Sequence, residues 1–409
     1  MTFHRIADVY KQGILAARIE RHEGGTKFSY LPRYLDSGGP AVATTLPLTN
    51  EAVFTPSGAV PPYFTGLLPE GRRLNSLRRA VKASADDELA LLMGAGGDAV
   101  GDVQTVPHGE PPTEGGSAVV LDSKLPLDFD ALLGDSGLID PVALAGVQDK
   151  LSAGMISLPV AQAGKRFILK LNAPEFPFVV ENEFLMFRYA RKLRIPVSSV
   201  QLVHDVGGRA GLLVERFDRL TGADGAAVRL AVEDGAQVLG LYPADKYSVP
   251  FGEVCAALAA HCSAPLPALR NLAIQLAFAW LSGNGDLHAK NVSIVQSQSG
   301  VQSQSGVQSP QGEYTIAPVY DIPSTVVYGD KTLALGIGGK KSGISRKHFL
   351  AWAGKLGLTE RAAEGVLGLA LRASGPLIAE LDAGASPFGP AQTRDWVKEL
   401  RHRRRLMDG

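Results

Sequence analysis

The sequence has few cysteines, no excess of charge and no long apolar run, and each absence excludes a class of protein. Only Cys255 and Cys262 are cysteines, too few for a disulfide framework or a cysteine-rich metal site. In their apolar, alanine-rich surroundings they are expected to be small buried side chains in a reducing compartment. Lysine plus arginine (41) equals aspartate plus glutamate (41), so nucleic acid or an anionic membrane could be bound only through a local patch.

Long apolar stretches are also missing. No run reaches the roughly 18 apolar residues of a membrane span, and the N-terminal MTFHRIADVYKQGILAARI lacks the apolar core of a signal peptide. These absences predict a cytoplasmic protein with no membrane contact.

The front of the chain is patterned for a small β-rich domain. Residues 1–50 alternate polar and apolar positions between glycine-rich turns, which predicts short antiparallel strands. Residues 65–93 favour helices, with Asp86 or Asp87 as an N-cap. The segment 107–116 is rich in proline, glycine and acid and has no periodicity, which indicates a domain boundary.

A mixed lobe and then a helical lobe follow. Apolar strand patterns occur at 167–171 and 212–214, and a helical pattern lies between them at 180–193. From 249 to 280, and again from 347 to 371, the apolar spacing is helical.

One segment, 295–312, is a low-complexity insertion made of VQSQSG, VQSQSG and VQSPQG. A β-solenoid would need more repeats and a continuous apolar ladder. The composition therefore favours a flexible, solvated hairpin extension that loops away from the candidate metal-binding residues on its two sides.

The strongest chemical signal is GNGDLHAKN at 283–291, which follows a long apolar pattern and precedes a short strand-like one. Asp286 and Asn291 have the spacing of a kinase catalytic loop, in which the aspartate accepts the acceptor hydroxyl's proton and the asparagine oxygen binds Mg²⁺. Glycine, asparagine and aspartate also form ordinary surface turns, so this motif alone leaves both interpretations open.

Two further segments favour the kinase interpretation. Asp321 in APVYDIPS follows a short apolar strand, where a second metal-binding aspartate is expected on the strand paired with that of the catalytic loop. Lys170, in FILKLN, could present its ammonium to the nucleotide phosphates. Either Glu181 or Glu183, at the start of the next helix, could be its partner. The single-glycine segment AGVQDKLS at 145–152 is a weaker candidate for a phosphate-binding loop.

Two other motifs are interpreted as structural. GAGGDA at 94–99 matches a dinucleotide fingerprint, but it follows a helical pattern instead of a strand. The basic cluster RHRRR at 401–405 lies near the end of a helical pattern, where cations are favoured and solvated. DNA contact by this cluster is the less favoured alternative.

Seven motifs in this order carry a resemblance: AGVQDKLS, FILKLN, ENEFLMFRYARKL, LLVERFDR, EDGAQVLGL, GNGDLHAKN and APVYDIPST. Together with FTGLLPEGRR and GGDAVGDV near the front, they resemble the HipA family, the serine/threonine kinases that are the toxin half of bacterial toxin–antitoxin pairs. The resemblance implies an α+β fold: a kinase-like pair of lobes, one mixed α/β and one mainly helical, behind a small β-rich N-terminal domain. The expected division is 1–107 for that domain, 108–128 for a linker, 129–217 for the kinase-like N-lobe and 218–409 for the helical C-lobe.

The resemblance also implies roles for individual residues. Asp286 would be the catalytic base, and Asn291 and Asp321 would hold Mg²⁺. The remaining residues would contact ATP. The nucleotide would be covered by a loop of Ala145, Gly146, Val147, Gln148, Asp149 and Lys150, and its phosphates would be contacted by Lys170. The adenine would meet the hinge of Glu215, Arg216 and Phe217, and the same pocket would be lined by His288 and Tyr320.

The implied partners are a HipB-like helix-turn-helix antitoxin, DNA mainly through that antitoxin, and a protein substrate such as glutamyl-tRNA synthetase. One departure concerns the family's inhibitory autophosphorylation serine, whose position is occupied here by Ala143. Two alternatives stay open: a small-molecule phosphotransferase that uses the same loop, and a non-catalytic nucleotide-binding co-repressor.

Overall fold

The alternating pattern at the front of the chain forms an antiparallel sheet. The computed structural model describes residues 4–95, 97–112, 119–121, 125–135, 155–222, 227–296 and 314–409. The first sheet has the order β4-β3-β2-β1-β5, with strands β1 Ile6–Lys11, β2 Ile14–His22, β3 Gly25–Tyr30, β4 Val53–Pro56 and β5 Val103–Pro107. The predicted short antiparallel strands are confirmed.

Four helices complete this N-terminal unit: α1 Pro32–Ser37, α2 Pro62–Leu67, α3 Gly71–Val81 and α4 Glu88–Ala95. The carboxylate of Asp87 accepts a hydrogen bond of 3.1 Å from the backbone N–H of Ala90, so Asp87, not Asp86, caps α4. Because α4 precedes the GAGGDA segment, the expectation that this segment lacks the strand of a dinucleotide site is confirmed.

The second sheet has the order β6-β7-β8-β10-β9. Its strands are β6 Val119–Val120, β7 Ile156–Gln162, β8 Lys165–Leu171, β9 Val200–His204 and β10 Ala210–Glu215, and its helices are α5 Phe129–Asp135 and α6 Val179–Ala190. Leu213 packs with Phe129 of α5, whereas Leu212 packs in the cluster that contains α6. Alternate residues of a strand face opposite sides. Lys170 pairs with Leu212 across the sheet, so it lies on the α6 face.

The C-terminal lobe is mainly helical. It contains a two-stranded sheet, β11 Arg219–Thr221 and β12 Ala227–Arg229, and a three-stranded sheet, β13 Val232–Asp234, β14 Ser293–Gln296 and β15 Tyr314–Ile316. Its helices are α7 Gly235–Val238, α8 Phe251–Ala260, α9 Pro265–Ser282, α10 Arg346–Lys355, α11 Glu360–Asp382 and α12 Pro390–Asp408. In the part of the chain that the structure describes, no helix is both long enough and apolar enough to cross a bilayer.

Helix α9 lies at the centre of this lobe. From Leu272 to Ser282 every side chain on it is buried, which identifies it as a core helix surrounded by its neighbours. Cys255 on α8 and Cys262 just beyond it are free and buried, as expected. The repeat segment lies almost entirely outside the described residues, but the strands on its two sides, β14 and β15, pair antiparallel.

The expected solvation of the basic cluster at 401–405 is wrong for Arg403. This side chain is fully buried, and its guanidinium donates hydrogen bonds of 3.1 Å to the Trp280 carbonyl and 2.7 Å to the Lys331 carbonyl. It also pairs with Glu399 and lies 4.2 Å from the ring centroid of Trp280. Because α12 packs on the end of α9, Arg403 supplies donors to a helix terminus whose last carbonyls lack partners in the helix. Arg401, with an exposed side chain, behaves as expected.

Candidate active site

The loop 283–291 begins where α9 ends, and two of its glycines are required by close packing. Gly283 has φ of 78° and caps the helix. A β-carbon on Gly285 would lie 2.5 Å from both Thr325 Oγ1 and the Thr332 carbonyl. The Gly285 N–H donates to Thr325 Oγ1 at 2.9 Å. The loop is therefore held tightly against the segment that follows Asp321.

Asp286 lies in a buried polar setting within this loop. Its backbone N–H donates to Asn284 Oδ1 at 2.8 Å, and its carboxylate Oδ1 accepts a hydrogen bond of 3.1 Å from the Tyr247 hydroxyl. His288 Nε2 lies 4.0 Å from the same oxygen, and the His288 ring packs edge-to-face on Tyr247 with centroids 5.0 Å apart. Asp286 is only 2% exposed. Its carboxylate is thus oriented by the protein, as a proton acceptor requires.

The two expected metal ligands lie on neighbouring segments, Asn291 in the catalytic loop and Asp321 beyond β15. The side-chain amide nitrogen of Asn291 donates to the Asp286 carbonyl at 2.8 Å, so its side-chain oxygen is the atom left to bind a cation. Asp321 follows β15 and has φ of 54°, a left-handed conformation that is uncommon outside glycine. Such backbone conformations are concentrated at functional sites.

Two contacts hold the Asp321 segment against the catalytic loop. The hydroxyl of Tyr320, the residue before Asp321, donates to the carbonyl of Lys290, the residue before Asn291, at 2.7 Å. The Gly285 N–H donates to Thr325 Oγ1 at 2.9 Å. Asp321 therefore lies on a segment that packs directly on the loop carrying Asp286 and Asn291. Burial raises the pKa of the Tyr247 hydroxyl well above its ordinary value, and the charge of Asp286 raises it further.

Lys170 connects the N-lobe to this group. Its ammonium nitrogen lies 2.8 and 2.9 Å from the two carboxylate oxygens of Glu183 and 3.0 Å from Asp321 Oδ1. Burial lowers the pKa of Lys170, but Asp321 and Glu183 outweigh it and hold that pKa above the ordinary value, so the side chain stays charged. The sequence left two partners open. Glu183 is the partner, whereas Glu181 accepts instead from Asn172 at 2.8 Å.

Helix α6 also fixes the segment that contains Asp321. The amide of Asn182 donates to the Ser324 carbonyl at 2.8 Å and accepts from the Ser324 N–H at 3.0 Å. Sequence analysis did not single out Asn182. Its only signal is its position beside Glu183 in the ENEF motif.

Phe217 and Tyr320 meet at the hinge between the lobes, with ring centroids 5.6 Å apart. The Tyr320 hydroxyl donates to the Lys290 carbonyl at 2.7 Å and lies 2.5 Å from Ser293 Oγ. These bonds anchor Tyr320 to the catalytic loop. The two rings form an aromatic surface next to that loop.

The charged hinge side chains have other partners. The Glu215 carboxylate pairs with Lys165 at 2.7 Å. The buried Arg216 guanidinium pairs with Asp218 at 2.8 Å and with Asp98 of the N-terminal domain at 2.6 Å. The structure therefore places Arg216 at a domain contact, and the backbone N–H groups of Glu215 and Arg216 donate to the Ser199 and Arg166 carbonyls at 2.9 Å. The expected covering loop, 145–150, and Ala143 lie outside the described residues.

Comparison with known proteins identifies two family domains in this chain. Residues 7–106 match the HipA N-terminal domain, and residues 142–374 match the HipA-like C-terminal domain. The Y4mE protein of Sinorhizobium fredii is 32% identical, with 82% of this chain and 81% of that protein covered. The serine/threonine-protein kinase toxin HipA of Shewanella oneidensis is 28% identical, with 75% and 72% covered.

A solved structure shows the same fold. It is the complex of Shewanella oneidensis HipA, HipB and operator DNA, and the similar chain has a TM-score of 0.77 at 22% identity over 98% of this chain and 97% of that one. The mixed α/β and helical lobes behind a β-rich domain are thus confirmed. Because the HipA N-terminal and C-terminal domains both match, in this order along the sequence, this chain belongs to the HipA family.

Proposed function

We propose that this protein is an ATP- and Mg²⁺-dependent kinase that phosphorylates a serine or threonine of a protein. The observation that carries the proposal is the ion pair of Lys170 with Asp321, on a segment packed against the loop in which Tyr247 orients Asp286 and the Asp286 carbonyl orients Asn291. Phosphoryl transfer needs little covalent chemistry from the enzyme, because positioning and neutralisation of phosphate charge supply most of the rate. These four side chains are the types that perform both tasks.

The donor set fits magnesium. Asn291 offers an amide oxygen and Asp321 a carboxylate, and such oxygen ligands suit a hard cation that shares the remaining positions with water and phosphate. When bound with the nucleotide, Mg²⁺ would neutralise charge on the phosphate oxygens. Lys170 already contacts Asp321, so its ammonium would lie beside the same phosphates.

Each catalytic step can be assigned to a residue of this chain. Asp286 would accept the proton of the acceptor hydroxyl while the oxygen of that hydroxyl forms a bond to the γ-phosphorus. The bond from that phosphorus to the β,γ-bridging oxygen breaks, and ADP leaves with the electron pair. Phe217 and Tyr320 would pack on the adenine, which the hinge 215–217 would meet. The loop 145–150 would cover the phosphates, and His288 would line the pocket.

The test is turnover of Mg·ATP by the purified chain, measured as ADP release and as transfer of labelled phosphate. Asp286→Asn should lower the rate by roughly 10²–10⁴-fold, the scale of other electrostatic deletions at active sites. Asp395→Asn, at an exposed position on α12, makes the same change away from the site and should leave the rate unchanged. Full activity of Asp286→Asn would refute the proposal.

The label also separates the two alternatives. Phosphate on sugars or aminoglycosides, with none on protein, would indicate a small-molecule phosphotransferase. Binding of Mg·ATP without turnover by the unmodified chain would indicate a nucleotide-binding co-repressor.

We further propose the family's biological setting for this chain. It would act in the cytoplasm as a toxin on a synthetase such as glutamyl-tRNA synthetase, with a HipB-like antitoxin as partner and DNA reached mainly through that antitoxin. The support is membership of the family and the fold shared with a chain solved together with HipB and operator DNA. Growth arrest on expression, relieved by a small helix-turn-helix protein encoded next to it, is the expected result.

A further inference from the structure

The N-terminal domain reaches the catalytic loop through a carboxylate that no step above uses. Glu70 lies in the turn between α2 and α3. One of its carboxylate oxygens pairs with the ammonium of Lys246, and the other lies 3.8 Å from the ammonium of Lys290. Both lysines belong to the C-lobe, so a single side chain of one domain holds two cations of another.

Lys290 is part of the catalytic loop and immediately precedes Asn291. Its ammonium donates to the Gly66 carbonyl of the N-terminal domain at 2.9 Å and to Asp234 Oδ2 at 3.1 Å. Its side chain is only 14% exposed. The N-terminal domain thus supplies two of the partners that fix this residue.

Lys246 connects Glu70 to the catalytic base. The Lys246 carbonyl accepts a hydrogen bond of 3.2 Å from the Ala289 N–H of the catalytic loop. The next residue, Tyr247, donates its hydroxyl to Asp286 Oδ1 at 3.1 Å. A displacement of the Lys246 main chain would therefore move both the loop backbone and the hydrogen-bond donor to the Asp286 carboxylate.

We propose that Glu70 is a positioning residue for phosphoryl transfer, acting through Lys246 and Tyr247 to orient Asp286 and through Lys290 to fix the loop that carries Asn291. This inference rests on the proposed kinase function. It assigns part of the catalytic geometry to the N-terminal domain, which would otherwise be regarded as an attached module. A misplacement of about 1 Å at such a site can cost on the order of 100-fold in rate.

A second ion pair between the domains provides the matched control. Arg72, on α3, pairs with Glu175 of the N-lobe at 2.7 Å. Neither side chain contacts the catalytic loop in the described structure. If Glu70 only holds the domains together, Glu70→Gln and Glu175→Gln should have similar effects.

The experiment compares Glu70→Gln, Tyr247→Phe, their double variant and Glu175→Gln in the full chain. Steady-state ADP release with Mg·ATP should show kcat lowered by roughly 10- to 100-fold in Glu70→Gln, with KM for ATP changed by less than about twofold. Because one of the two routes from Glu70 passes through Tyr247, the double variant should lose clearly less than the product of the two single losses. Glu175→Gln should turn over at the unmodified rate.

Hydrogen exchange of the peptide spanning 283–291 provides a readout that does not need activity. Glu70→Gln should speed exchange in that peptide, whereas Glu175→Gln should not. The inference would be overturned if Glu70→Gln kept the exchange rate and the kcat of the unmodified chain. It would also be overturned if the losses of kcat in Glu70→Gln and Tyr247→Phe were fully additive in the double variant. If the unmodified chain never turns over ATP but Glu70→Gln still speeds exchange in this peptide, the kinase proposal is refuted and the structural link between Glu70 and the loop is kept.

Discussion

A buried carboxylate between the domains should make the stability of the fold depend on pH. Glu233 on β13 is 2% exposed, and its two oxygens accept hydrogen bonds of 2.8 Å from the backbone N–H and the hydroxyl of Thr44 in the N-terminal domain. Burial raises the pKa of Glu233 from its ordinary value of 4.5 to about 7, although the two bonds from Thr44 oppose the rise. Such a rise corresponds to roughly 3 kcal/mol.

The sign follows from proton binding. The folded protein binds this proton more tightly than the unfolded chain does, so the free energy of unfolding should fall as pH increases from about 4.5 to about 7 and stay level above that range. Glu233→Gln keeps an acceptor for the Thr44 N–H and cannot ionise. At about pH 8 it should therefore be more stable than the unmodified chain by roughly 1–3 kcal/mol, with no difference near pH 4.5.

The assay is urea denaturation followed by far-ultraviolet circular dichroism at several pH values. Glu23→Gln, at an exposed turn of the N-terminal domain, removes the same charge and should not alter the pH dependence. If Glu233→Gln retained the full fall in stability between pH 4.5 and 7, the assignment to this carboxylate would be wrong.

Three other changes have defined outcomes. Glu183→Gln leaves Lys170 with Asp321 as its remaining carboxylate partner and should lower kcat/KM for Mg·ATP by roughly 10- to 100-fold in an ADP-release assay. Gly285→Ala forces a β-carbon onto neighbouring oxygen atoms and should lower kcat by at least about tenfold while calorimetry shows little change in nucleotide affinity. Arg403→Met removes a buried guanidinium together with its hydrogen bonds to the Trp280 and Lys331 carbonyls and its ion pair with Glu399, and should destabilise the chain by roughly 2–4 kcal/mol in thermal unfolding. Arg401→Met, at an exposed side chain, should have little effect.

Placements that follow from local spacing could be predicted from the sequence. Asp286 and Asn291 lie in one short loop that leads into β14, and Asp321 follows β15, the strand paired with β14. Local pattern therefore predicts that the three residues lie on neighbouring segments. Glu183 could not be separated from Glu181 in this way, because both begin the same helix. The deciding fact is the side of α6 that faces Lys170: Glu183 is fully buried against it, whereas Glu181 faces Asn172.

Contacts between distant segments left little trace in the sequence. Glu70 and Lys246 are 176 positions apart, and neither stands in a pattern that indicates the other. Arg403 was expected in solvent because its neighbours are basic, and local composition does not show that a helix end packs against it. The covering loop at 145–150 stays a prediction.

The pairing of β14 with β15, which lie between Asn291 and Asp321 in the sequence, has a consequence for protein engineering. Gln296 and Tyr314 are register partners on these strands, so the chain leaves and re-enters the described structure at adjacent points. Lengthening a connection between fixed ends costs only about 0.6 kcal/mol per doubling. Added residues in this tract should therefore leave Asn291 and Asp321 in place, which makes the tract a suitable point for inserting a tag or a reporter.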